Sequence, residues 1–200
     1  MHSWLRHMAL ASALVFAGSA QAATSTTTRT SRSTAAPHPT PTGVQLPQDE
    51  KSFLDWIHQL NQQEVQLGQL AQQQSETPAV KQYGRMLVAD HRAADAKVMA
   101  YAQKKGWTLG AFQPTTEVEQ KVQAAGQATT AELQALTGGM FDHAFLAAMV
   151  GGHDAAIATL DEGLLQYKDT DSLLKPLVKT LHKHRDHAYR LLGQMKMKNV

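Results

Sequence analysis

The sequence predicts an all-α protein, a four-helix bundle whose second and third helices are joined by one long crossover. Three observations lead there. Apolar residues recur at alternating three- and four-residue steps through four long segments, the period of one helix face. Only a few residues separate the first segment from the second and the third from the fourth, so each pair forms an antiparallel hairpin. The stretch between the hairpins, residues 107–137, is too long for a tight turn. It is long enough to run the length of a bundle.

The first helix spans about Asp49 to Gln74, with a stripe of Phe53, Ile57, Leu60, Glu64, Leu67 and Ala71. Thr77 then suits an N-cap and Pro78 a first helical position, where its missing N–H does no harm. The second helix, Pro78 to Lys105, turns inward Val80, Gly84, Leu87, His91, Ala94, Val98 and Tyr101. Lys104 and Lys105 complement the negative end of the helix dipole, and Gly106 is a C-terminal stop.

In the crossover, Thr116 and Glu119 form a capping-box pattern. A modest helix through Val118 and Val122 should follow, with a second turn over Glu132 to Leu136. The third long helix, Phe141 to about Tyr167, carries Phe145, Met149, His153, Ala156, Leu160 and Leu164 on one face. Asp169 or Asp171 can cap the fourth. Pro176 means that this helix begins near Lys175 or bends there. Its stripe is Leu174, Leu177, Leu181, His184, Ala188, Leu191 and Met195. The bundle therefore occupies residues 49–197.

The chain has 200 residues, and those before Asp49 have another character. Residues 1–22 combine Arg6, a short apolar run and Ala20-Gln21-Ala22, the small-x-small form of a signal-peptidase site. The run is too short to span a bilayer, so a cleaved export signal is expected, with a periplasmic or secreted product and no membrane span in the mature chain. Residues 23–48 are rich in Thr, Ser, Pro and Ala and lack apolar periodicity; a disordered linker is expected. There is no Cys, which excludes a lipobox anchor and disulfides. All seventeen Asp and Glu and sixteen of the nineteen Lys and Arg lie from Asp49 onward, so the bundle is near neutral and offers no basic patch for nucleic acid.

Each long helix carries one ionisable residue inside its apolar stripe: Glu64, His91, His153 and His184. All four lie near mid-helix, at similar heights for a rise of ~1.5 Å per residue. A buried polar layer needs mutual partners. It is either a metal site or a metal-free Glu–His network. Three imidazoles and a carboxylate suit one Zn, Mn, Fe or Cu ion. A di-iron centre would need Glu-x-x-His on two helices, and Val88 and Leu181 stand three residues before His91 and His184. Asp90, beside His91, could orient a ligand or be solvated. Met149 packs the core one turn from His153 and could also serve copper. Asp142, ~16 Å from His153 by helical rise, reads as a carboxylate at a helix N-terminus. Gly151 and Gly152 fit close helix packing or a kink. His182 and His187 read as surface histidines. No Ser–His–Asp set, nucleophilic Cys or phosphate-cradling loop is evident, so no catalytic residue is assigned.

Glu64 with Leu67-Gly68, Asp90-His91, Phe141-Asp142, His153, and His184 with Ala188 together resemble the bacterial domain-of-unknown-function family 4142, of the ferritin-like superfamily. The similarity covers about residues 50–195. It implies an exported four-helix bundle and brings no settled activity. The run from Asp142 to Ile157 is also similar to the related family 305, whose paired histidines suggest metal binding; here Gly152 replaces the first of them. Two functions follow as expectations: a metal-binding bundle of the cell envelope, or an envelope stress or interaction module, with a protein partner, whose Glu–His layer is structural. Intact mass of the exported protein should correspond to a chain starting near Ala23; recovery of intact Met1 would contradict the expected cleavage.

Overall fold

The computed structural model describes residues 46–195. The expected signal, nearly all of the expected linker, and residues 196 and 197 lie outside the described residues. The elements follow in the order α1 (Glu50–Gln74), α2 (Pro78–Lys104), α3 (Glu117–Ala135), α4 (Gly138–Gln166), a 3-10 turn (Lys168–Thr170) and α5 (Asp171–Gln194). Among the described residues there is no strand, and the protein is an all-α bundle.

Helix ends follow from local chemistry. Asp49 caps α1 by accepting the Ser52 N–H at 2.8 Å. α2 ends at Gly106, whose φ of 76° lets Trp107 N–H reach the Ala102 carbonyl at 2.9 Å and Gly106 N–H reach Gln103 at 3.0 Å, a Schellman closure. The expected capping box at Thr116 and Glu119 is present.

α1 packs chiefly on α2 and α4 on α5; the contacts of α2 with α5 and of α1 with α4 join the two hairpins. At one end, Thr77 Oγ1 donates to Asp142 Oδ2 at 2.5 Å, so α2 and α4 start together and run parallel. The crossover therefore has to return along the bundle. Its first part is pinned to α1, where Asp55 Oδ1 accepts Gly110 N–H at 2.9 Å and Gln59 Oε1 accepts Phe112 N–H at 3.1 Å. Its far end puts Leu133 into the same apolar cluster as Ala71.

Several expectations are corrected. The crossover holds one continuous helix, because its Ala- and Gln-rich sequence has good helix propensity and Gly126 alone does not break it. Val118 and Val122 are not its inner face; they are 51% and 63% exposed, and Glu119 and Leu133 are buried instead. α5 starts at Asp171, with Thr170 as its flanking residue, and continues through Pro176. Only one intrahelical bond is lost there, that from residue 176 to residue 172, and the Lys175–Asp171 pair at 2.6 Å spans the same turn. Thr77 flanks α2 but makes no capping bond, since its hydroxyl goes to Asp142. Gly151 and Gly152 are exposed, and a Cβ at either would meet nothing within 4 Å, so close packing does not explain them.

Close packing falls elsewhere. A Cβ on Gly68 would lie 2.7 Å from the Gly84 carbonyl oxygen, and one on Gly84 2.6 Å from that of Gly68. Only paired glycines let α1 and α2 approach this closely, and helix backbone cannot yield cheaply. The core is in two parts. One cluster includes Phe53, Ile57, Val98, Leu160 and Leu181; the other includes Tyr83, Leu87, Phe141, Phe145 and Leu191. A polar layer separates them.

Gly84→Ala should destabilise the protein by about 1–3 kcal/mol through overpacking, whereas Gly151→Ala should be neutral or stabilising by about 0.5–1 kcal/mol. Urea unfolding of both variants checks the opposite signs.

Candidate metal centre

Between the two clusters, α1 supplies Asn61 and Glu64, α2 His91, α4 His153 and α5 His184, and all five are buried. The three rings stand 5.1 to 5.9 Å apart, centroid to centroid. One ligand-capable nitrogen from each lies within 4.8 Å of the others.

The hydrogen bonds say which nitrogens are free. His91 Nδ1 lies 2.9 Å from Asn61 Oδ1, His153 Nδ1 2.8 Å from the Met149 carbonyl, and His184 Nε2 2.9 Å from Asp90 Oδ2. All three partners accept, so each of these ring nitrogens donates its N–H outward. What remains is a bare lone pair on His91 Nε2, His153 Nε2 and His184 Nδ1. His91 Nε2 has no partner. His153 Nε2 and His184 Nδ1 lie 3.4 Å apart. Two ligands bonded at ~2.0–2.1 Å to one tetrahedral ion are separated by about 3.3–3.5 Å.

Burial, together with the neighbouring His184 and His153, pushes the His91 pKa well below its ordinary value. Burial also lowers His184, although its bond to Asp90 acts in the opposite sense. Neutral imidazole, the form that ligates metals, is thereby favoured.

Three of the four expected residues, His91, His153 and His184, come close enough together that they could hold a metal ion. Glu64 reaches the layer but is not part of the 4.8 Å cluster. Burial raises its pKa, partly offset by His153, and Glu64 Oε2 has no partner. Its charge would also oppose ionisation of Tyr83, whose phenol is already pushed up by burial. Asp90 is the acceptor for His184. Met149 contributes its backbone carbonyl to His153 and is otherwise buried in the apolar cluster. Asp142 sits in the first turns of α4, wholly buried, bonded to Thr77 at the bundle end. His182 and His187 are half-buried rather than surface residues, and His187 packs edge-on against Tyr83.

Asn61 does not stand out in the sequence. The buried face of α1 is Phe53, Ile57, Asn61, Glu64, Gly68 and Ala71, rotated slightly from a stripe through Leu60 and Leu67, which are half-buried. Counting apolar residues favours the two leucines. The four-three alternation through Ile57, Asn61, Glu64 and Gly68 carried the signal. Tyr83, equally inconspicuous in the sequence, donates its hydroxyl to the His184 carbonyl at 3.2 Å and fixes α5 against α2 beside the site.

Fold and site define an all-helical bundle with a buried, inward-facing histidine triad. The chain belongs to the family described as Domain of unknown function (DUF4142), whose family model matches residues 34–191. Neither a curated protein nor a solved structure matches it.

The Glu64 carboxyl gives a pH-dependent signature. Its folded pKa lies above the ordinary 4.5, so the metal-free folded state keeps a proton that the unfolded chain releases. Stability then falls as pH rises through that window. Glu64→Gln should remove the fall, so the variant gains on the wild type between pH 4 and pH 8. Urea unfolding of chelator-treated protein checks this; a variant less stable than wild type at pH 8 would mean that the fold satisfies the charged carboxylate.

Proposed function

We propose that the protein binds one transition-metal ion in the middle of an exported, ferritin-like bundle. The ligands are His91 Nε2, His153 Nε2 and His184 Nδ1, with Glu64 at hand as an oxygen donor. The observation that supports this is the proton arrangement: every outward ring N–H has an oxygen acceptor, and each ring of the buried cluster is left with one bare nitrogen. Lone pairs 3.4 Å apart repel in a buried layer. A cation between them turns the repulsion into coordination.

The donor set suits Zn, Mn, Fe or Cu, borderline ions that accept imidazole with carboxylate. Among the described residues, no carboxylate joins the histidine cluster to bridge a metal pair. The function is binding at the cell envelope, with no reaction assigned.

The second reading is a structural polar layer in an envelope stress or interaction module. The same 3.4 Å separation favours it, since a proton on either nitrogen would make a hydrogen bond. That bond needs one ring to change tautomer and leave Met149 or Asp90 without its donor.

Elemental analysis of untagged protein from metal-supplemented cells should find about one transition-metal ion per chain. His153→Ala should abolish it. Free ion at about a hundred times its dissociation constant should stabilise the wild type by ~2.7 kcal/mol and leave the variant unchanged. A wild type without metal, and without a thermal shift on adding any of the four ions, supports the structural layer instead.

A further inference from the structure

The three outward acceptors are not equivalent. Asn61 Oδ1 and the Met149 carbonyl belong to wholly or almost wholly buried residues and are neutral. Asp90 is a carboxylate whose side chain is 46% exposed, while His184, to which it is bonded, is 0% exposed. The ligating atoms differ in the same place. His91 and His153 turn Nε2 inward, and His184 turns Nδ1.

We infer that Asp90 is a positioning residue that keeps the site open by holding the His184 proton on Nε2. The inference rests on the metal-binding reading above. His184 has two neutral tautomers, and the structure provides an acceptor for each. With the proton on Nε2, it bonds to Asp90 at 2.9 Å and Nδ1 is bare. With the proton on Nδ1, it points at His153 Nε2, 3.4 Å away. That second bond uses both inner lone pairs and closes the site. Without the Asp90 acceptor, Nε2 of this buried ring has no protein partner in either tautomer. Only the tautomer with the proton on Nδ1 then makes a hydrogen bond, to His153 Nε2, so the ring turns its proton inward. A carboxylate accepts more strongly than a neutral oxygen. It therefore holds the open tautomer in the metal-free protein, before any ion arrives.

The position of Asp90 makes this economical. It precedes His91 on α2, so one turn of helix supplies a ligand and the acceptor that orients a ligand on α5. Asp90 is exposed and outside both apolar clusters, so its loss does not open a cavity.

Two variants separate this role from a general effect on charge or folding. Asp90→Asn keeps an oxygen acceptor; Asp90→Ala removes it. Nitrogen-15 NMR of the His184 ring in chelator-treated protein should show the proton on Nε2 in the wild type and in Asp90→Asn. In Asp90→Ala it should move to Nδ1. Calorimetric titration with Zn, with thermal midpoints as the folding control, should show affinity about 10–100-fold weaker in Asp90→Ala, the size typical of losing such a partner. Asp90→Asn should lie nearer the wild type than Asp90→Ala does. An unchanged tautomer in Asp90→Ala, or equal affinity in Asp90→Ala and the wild type, overturns the inference. So does an Asp90→Asn as weak as Asp90→Ala, because charge alone would then be the cause. If the wild type binds no metal, the metal reading fails by itself, and the NMR comparison still decides whether Asp90 holds the tautomer.

Discussion

Four helices bring polar side chains to one level of an otherwise apolar interior, and the arrangement of protons there governs what the bundle can do. Bulk water does not reach nitrogen lone pairs at positions that are at most 1% exposed. They need an N–H or a cation. Because carbonyl, amide and carboxylate oxygens hold the three N–H groups on the outside, the inside is left with acceptors. Two acceptors of this layer, Glu64 Oε2 and His91 Nε2, lack partners, as does one donor, Asn61 Nδ2. The apolar clusters on either side insulate it, which strengthens electrostatic interactions with anything bound there.

The rest of the bundle holds that level in register. Gly68 and Gly84 set how closely α1 meets α2, and Glu64 lies one turn from the first of them. The bond from Thr77 to Asp142 aligns the starts of α2 and α4, so that His91 and His153 count their turns from a common end. The Tyr83 hydroxyl on the His184 carbonyl positions α5 against α2. The last two ties join helices that are distant in sequence. A slip of one turn, ~5.4 Å, on any helix would take its ligand out of reach.

Three buried imidazoles this close together could hold a metal ion, and no bridging carboxylate of the kind found in two-metal centres joins them among the described residues. Family membership adds the shared domain without an activity. The chemistry therefore has to be argued from the donors. An imidazole set without thiolates favours ions that stay in the divalent range over soft monovalent ones. The carboxylate of Asp90, bonded to His184 and partly exposed, is the charged group through which a metal held by the histidines would be tuned from outside.

Much of this was legible in the sequence, because it depends on local periodicity. The helix stripes follow from a 3.6-residue repeat, and the caps at Thr116 and Gly106 from backbone groups that need satisfying within a few residues. That His91, His153 and His184 face inward near mid-helix follows from the same repeat. Other features depended on rotation and tilt, which side-chain packing sets between helices. A small turn of α1 exchanged Leu60 and Leu67 for Asn61 and Gly68, and so brought the His91 acceptor into the core unannounced. The outward placement of Val118 and Val122 depended on how α3 lies against α1 and α4. Above all, periodicity can place an imidazole on a face, but only tertiary contacts decide which of its two nitrogens carries the proton. Asn61, the Met149 carbonyl and Asp90 make that choice here, and with it they leave one bare nitrogen on each ring of the buried cluster.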